Sequence, residues 1–246
     1  MKCIFCNSQF TNKRSEHILP ESLGGEDWAC LPDGVMCDAC NQYFGSKVEN
    51  KALNSFPLLP FRLFLNIPSK KKKPPKMDTY LGEIKSIGLE GKFGLDPSNK
   101  EIESFVNKGD LSTLYIPTDV SEPLALCRLL LKMGLQTVAC DTLNDAFLQK
   151  FNDARVFARS PRRSSNWWFL LYIDHQSLFH KFIGGVSHRE WYSNIKLEVV
   201  TEFEAEIFHL KLMDMHFITP LESRVIPYNL DTLPQPDYQL IWATNG

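Results

Sequence analysis

Cys37-Asp-Ala-Cys-Asn41, taken with the earlier Cys3-Ile-Phe-Cys6, decides how the front of this chain folds. Each segment places two thiols three residues apart, the spacing with which a short turn offers two sulfurs to one metal ion. Two such knuckles supply Cys3, Cys6, Cys37 and Cys40, the full ligand set of a structural zinc site. A zinc held by four thiolates has no open position for chemistry. Glu16 and His17, which lie between the knuckles, and Asn41, which follows the second, are therefore free for another role. Cys37, Cys40 and Asn41 stand at i, i+3 and i+4, so they share one helical face and the zinc fixes the turn that presents Asn41.

Outward from this frame, residues 1–55 are short, turn-rich and too few to bury a sizeable core, so metal must substitute for it. Arg14 to Leu19 reads as a short strand, Gly24-Gly25 as a turn and Cys37 to about Leu53 as a helix. Residues 56–76 combine an apolar docking segment, FPLLPFRLFLNIP, with a basic linker or hairpin tip, SKKKKPPK. Residues 77–246 read as a larger α+β domain. A hairpin is expected over Leu81 to Leu95. Ser121 is the expected cap of a helix carrying Pro123 in its first turn and an apolar stripe through Leu124, Cys127, Leu131 and Val138. A second helix is expected from about Leu143 to Phe157. Strands are expected at Trp167 to Ile173, Ile195 to Val200 and Ala205 to Ile218. The last thirty residues show several prolines and little periodicity. The fold class is thus α+β: a small zinc-stabilised unit followed by a larger domain.

Composition sets bounds. Hydrophobic residues make up 43% and charged residues 23% of 246, ordinary for a folded domain. No uninterrupted apolar run has the length of a membrane span, and the N-terminal MKCIFCNS lacks a secretory core, so a cytoplasmic setting is expected. Four cysteines at metal spacing fit a reducing compartment. Cys127 and Cys140 read as buried thiols. Residues 1–76 carry 11 Lys+Arg against 7 Asp+Glu, and the remainder 16 against 22. A basic front suits contact with a polyanion.

The front segment resembles the HNH endonuclease family with its ββα-metal fold. The residues that carry the resemblance are Cys3-Ile-Phe-Cys6, the run Ser15-Glu-His-Ile-Leu-Pro-Glu-Ser-Leu-Gly-Gly25 and Cys37-Asp-Ala-Cys-Asn41, about a fifth of the chain. The resemblance implies His17 as general base, with Glu16 and Asn41 as ligands of one catalytic divalent cation. The chemistry agrees. Imidazole titrates near neutrality and accepts a proton from water. Carboxylate and carboxamide oxygens suit a hard cation such as Mg²⁺ or Mn²⁺, with Ni²⁺ or Zn²⁺ as alternatives. Family members place an Asn in the middle loop to polarise the base. Here Trp28 to Met36 holds none, so the group that orients His17 is not given by sequence. Neighbours on an ideal strand also point to opposite faces, so Glu16 and His17 share a site only where the strand twists or ends.

Other residues carry two readings. Lys47 and the run Lys70, Lys71, Lys72, Lys73 read either as nucleic-acid contacts or as solvated lysines. Glu49 reads as a solvated helix acid in preference to a support of the site. Arg155, Arg159, Arg162 and Arg163 read as surface charge in preference to a second basic patch. Trp167 and Trp168 read as core in preference to base-stacking residues. His175, His180, His188, His209 and His216 show no ligand spacing. The expected activity is metal-dependent hydrolysis of double-stranded DNA, in a bacterial restriction or phage-defence setting. A homodimer and a regulatory ligand or protein partner are further expectations. The alternatives are an inactive zinc-dependent DNA-binding module and a ligand or partner sensor carrying the metal module.

Overall fold

The computed structural model describes residues 1–246 except 12–15, 70, 89–91, 109–118, 175, 179–180, 182–189, 191–193, 203 and 228–237. Among the described residues, the first fifty hold little regular structure before one helix. Two isolated antiparallel bridges, Lys2 with Gln9 and His17 with Cys30, stand where a longer β pairing was expected. Of the expected strand at Arg14 to Leu19, Arg14 and Ser15 lie outside the described residues, and the remainder forms only the His17 bridge. The segment ends at Pro20, which opens a single 3-10 turn, Glu21–Leu23, instead of prolonging the strand.

The helix after the second knuckle runs through α1 (Asp38–Phe44), a π-helical turn (Gly45–Glu49) and α2 (Asn50–Leu53). α3 (Leu58–Phe64) is almost wholly buried, as its apolar sequence requires, and touches both the 3-10 turn Glu21–Leu23 and the hairpin that follows. That hairpin, β1 (Lys76–Thr79) and β2 (Gly82–Ser86), continues antiparallel into β3 (Phe93–Pro97), which α4 (Lys100–Lys108) contacts. Lys71, Lys72 and Lys73 lie in the turn before β1, closed by Lys72 N–H to Ser69 O at 2.8 Å, and not at the hairpin tip.

α5 (Pro123–Asp141) is the central element. It lies against an antiparallel sheet of order β5-β6-β7-β4-β8, formed by β4 (Asn166–Ile173), β5 (Ile195–Glu202), β6 (Ala205–Leu212), β7 (Met215–Pro220) and β8 (Gln239–Thr244). Gly134 permits this approach: a Cβ there would stand 2.8 Å from Phe208 Cβ. α5 is long and apolar enough to cross a membrane by length and composition, yet 83% of that window is buried inside the protein. It is a core helix here. One apolar cluster runs from Cys3, Leu19 and Phe44 through Leu130 and Phe157 to Phe217 and Ala243, so the metal-bearing segment and the sheet share packing through α5.

Several sequence expectations shift. The residue before α5 is Glu122, not Ser121, and its side chain makes no cap; Pro123 takes the first helical position, where its missing N–H costs nothing. The helix expected from Leu143 starts only at α6 (Asn152–Arg159), because Leu148 is extended (φ −58°, ψ 147°) between two 3-10 turns. The stretch Ala205 to Ile218 is two strands. Met213 adopts φ 52° in the turn, and Met-Asp carries no glycine signal to announce it. β8 was not expected at all. Trp167 and Trp168 are core residues, donating their indole N–H groups to Pro220 O (3.1 Å) and Val225 O (3.2 Å).

Candidate active site and metal centre

The four cysteines converge. The sulfurs of Cys3, Cys6, Cys37 and Cys40 all lie within 4.8 Å of one another. Tetrahedral zinc with bonds of about 2.3 Å needs sulfurs about 3.8 Å apart, and Cys6 and Cys37 stand at 3.7 Å. Each knuckle is shaped by main-chain bonds: Asn7 N–H to Cys3 O at 3.0 Å, and Asn41 N–H to Cys37 O at 3.0 Å. A hydrogen bond from Cys40 pulls the Cys3 thiol down to about 4, and Cys40 itself is pushed up by the same pairing. Four sulfurs this close cannot all ionise without a cation among them. The set therefore fits a structural Zn²⁺. Arg159 of α6 adds a positive charge beside it. Its guanidinium hydrogen-bonds to the Cys40 thiol, favouring the thiolate, and its Cζ lies 3.5 Å over the Tyr43 ring. Arg159 and Arg155 are thus not surface charge: Arg155 is buried and donates to Asn152 and to the Ala146 carbonyl. Arg162 and Arg163 are exposed.

Next to the sulfur cluster lies a cleft of about 430 Å³, lined by Glu16, His17 and Asn41 together. Among the described residues a single bridge, His17 with Cys30, forms there, in place of the strand geometry that would separate Glu16 from His17. The main chain around His17 is pinned instead: Leu31 N–H donates to Glu16 O at 2.6 Å and Ile18 N–H to Ala29 O at 2.7 Å. Gly25 closes the turn after it, approaching so tightly that a Cβ would fall 1.8 Å from Leu19 O. His17 Nδ1 lies 3.8 Å from Glu21 Oε1, an ionic neighbour beyond hydrogen-bond length, on the 3-10 turn that follows Pro20.

Asn41, Gly45, Glu49 and Leu53 all line the cleft at intervals of four. A continuous α-helix would rotate such a row off one face. The wider π turn at Gly45–Glu49 turns it back, which keeps Asn41 and Glu49 on the same wall. Glu49 is not a solvated acid. It pairs at 2.9 Å with Lys132, whose side chain is 2% exposed and rises from the middle of α5. The same ammonium donates to His17 O at 3.3 Å. A residue 115 positions away in sequence thus holds the backbone of the candidate base. Arg128, one turn earlier on α5, donates to Tyr43 Oη at 2.7 Å and to Ala158 O at 2.9 Å. Arg128, Lys132 and Gln136, four apart in an otherwise apolar helix, form a buried polar stripe. That spacing is the signal by which Lys132 was discoverable from sequence. Arg62, another buried cation lining the cleft, left no such signal, standing inside an apolar run.

Of the expected nucleic-acid contacts, Lys71 lines the cleft; Lys47, Lys72 and Lys73 are exposed and do not. Lys70 lies outside the described residues. Glu16, Asn41, Glu49 and Glu21 give the cleft an oxygen-rich lining, the donor type that suits a hard divalent cation. Elsewhere, His209 and His216 are not incidental to each other: His209 Nδ1 meets Glu198 Oε1 and its Nε2 meets His216 Nδ1, both at 2.9 Å, on the outer face of the sheet. His175, His180 and His188 lie outside the described residues. Among the described residues, only the cysteine set gathers three or more candidate metal ligands at metal-binding distance.

No curated protein and no solved structure matches this chain. Residues 3–57, the segment that carries both knuckles, Glu16, His17, Asn41 and Glu49, match the family model described as HNH endonuclease, which points to nuclease activity and to nucleic-acid binding.

Proposed function

We propose that the protein is a metal-dependent HNH endonuclease that hydrolyses phosphodiester bonds of double-stranded DNA, nicking one strand per site. The observation that carries this reading is the convergence of His17, Glu16 and Asn41 on one cleft inside the segment matching the HNH endonuclease family. His17 takes the proton from a water aligned for attack on phosphorus. The P–O3′ bond breaks as the new P–O bond forms, and the 3′ oxygen leaves. Glu16 and Asn41 would hold a divalent cation, which would supply charge stabilisation to the departing oxygen. Lys132 fixes the His17 main chain and neutralises Glu49, so that the cleft does not repel a phosphate with a third uncompensated carboxylate. The four-cysteine zinc site holds the frame and takes no part in the chemistry.

Helix α1 with its π turn is the element offered to the duplex, across the minor groove, with backbone contacts dominating. The lysine turn before β1 adds cations, Lys71 among the residues lining the cleft. A clean double-strand break then takes two copies or two encounters. Activity of this kind on foreign DNA serves bacterial restriction or phage defence. The domain made by residues 77–246 contributes α5 to the site and is the place for a dimer contact, a regulatory ligand or a protein partner.

The test is a supercoiled plasmid incubated with zinc-loaded protein, with and without added Mg²⁺ or Mn²⁺. Open circles that appear only with the added cation support the reading. Tight DNA binding with no strand cleavage under any divalent cation supports instead an inactive zinc-dependent DNA-binding module.

A further inference from the structure

We infer that Arg62, with Lys71 lining the same cleft, forms a binding subsite for a phosphodiester anion neighbouring the scissile one. The inference rests on the nuclease reading above and adds to it. Arg62 stands on α3, beyond residues 3–57, so the family match does not reach it.

Arg62 is 3% exposed and lines the cleft. Its Nη1 donates to Leu53 O at 2.9 Å and to Asn54 Oδ1 at 3.1 Å. Both acceptors are neutral. They cap the end of α2, where the last carbonyls lack helical partners and the helix dipole is negative. That role accounts for Nη1 and for nothing else on the guanidinium. Nε is buried with no acceptor, and no carboxylate pairs with the group among the described residues. Burial pushes its pKa down. Buried cations in folded proteins are ordinarily paired with an anion. Lys132 in the same cleft follows that rule through Glu49, and Arg62 does not.

Nε, the buried donor left without an acceptor, lies on the guanidinium edge whose fork matches two oxygens of one phosphate. Lys71, exposed in the turn closed by Ser69 N–H to Lys73 O at 2.9 Å, lines the cleft with Ser69 and supplies a second cation. A strand whose scissile phosphate sits at Glu16 and Asn41 brings an adjacent phosphate within the same cleft. That anion supplies what the buried guanidinium lacks.

The experiment measures binding of a short labelled duplex to full-length, zinc-loaded protein carrying His17→Ala, without added divalent cation, over a range of salt. The same measurement is made with Arg62→Gln and with Arg62→Lys added. Arg62→Gln is expected to weaken binding about tenfold and to lower the slope of log affinity against log salt by about one. Arg62→Lys is expected to restore the slope and part of the affinity. Lys71→Ala, at an exposed position, repeats the slope measurement should Arg62→Gln not fold, with a smaller loss expected. Unchanged affinity and slope in a folded Arg62→Gln protein, or in Lys71→Ala where that variant stands in, overturn the subsite. If wild type nicks plasmid and Arg62→Gln binds as tightly as its parent, the subsite alone falls. If wild type neither binds nor nicks, the nuclease reading falls with it.

Discussion

The segment before α3 and the α5–sheet region solve the same problem by different means. The first has bridges in place of strands, 3-10 turns and a π turn, and four sulfurs at its centre. The second has a nineteen-residue helix on five strands with apolar residues facing each other. A short irregular segment cannot bury enough apolar surface to order itself, so metal ligation and docking on a stable neighbour take over. The gain is geometric freedom. Irregular backbone lets Glu16 and His17, adjacent in sequence, line one cleft, which a long regular strand would forbid. The cost is dependence: the main chain at His17 is held by an ammonium from the second region.

That contrast is sharpest where metal is withdrawn. Cys37→Ser, or removal of zinc by a chelator, takes away a contribution of about 10 kcal/mol or more. Hydrogen exchange at residues 3–50 is expected to accelerate strongly, with β6 and β7 keeping their protection and with strand cutting abolished. Equal acceleration in both regions would erase the distinction drawn here.

A smaller effect probes the joint between the regions. Lys132→Met strands the Glu49 carboxylate, which is 19% exposed in the pair. Loss of one partner of a buried pair costs about 3 kcal/mol, read as a lower urea midpoint. Lys132→Met with Glu49→Leu removes both charges and is expected to recover most of that stability without recovering full cutting, because the His17 carbonyl still lacks its donor. Full recovery of both would reduce Lys132 to a packing residue.

The smallest effect tests the second region by itself. Burial depresses the His216 pKa from 6.5 to about 4. The groups bearing on it are His209, Lys211, Asp214 and the ring of Tyr172. The unfolded chain binds the proton more tightly, so stability falls as pH drops from about 6.5 towards 4 and is full above that window. His216→Gln is expected to flatten this part of the stability curve. An unchanged slope would show that the imidazole pair is indifferent to protonation.

The two regions also differed in how much the sequence disclosed. In the first, the four cysteines and the residues that line the cleft beside them were legible as motifs, because thiol spacing and an acid–histidine pair are local signals. The secondary structure around them was not, since bridges and a π turn leave no periodic trace. In the second, periodicity located α5 and β4, and a missing glycine signal concealed the β6–β7 turn. The contacts that join the regions were the least legible. Glu49 reads as a surface acid until Lys132 is found opposite it. Arg159 reads as surface charge until Tyr43 and Cys40 are found beneath it. Such pairings are made by tertiary packing, and only the buried polar stripe Arg128, Lys132, Gln136 announces them.

The central claim is that the sulfur frame and α5 together hold His17 as the base of a phosphodiester-cleaving cleft. The most direct measurement is the single-turnover rate of plasmid nicking by zinc-loaded wild type and by His17→Ala at saturating Mg²⁺ or Mn²⁺, with zinc content and melting temperature recorded for both. The account predicts a rate at least about a hundredfold lower for the variant, with zinc content and melting temperature unchanged. Equal rates in the two proteins would contradict it.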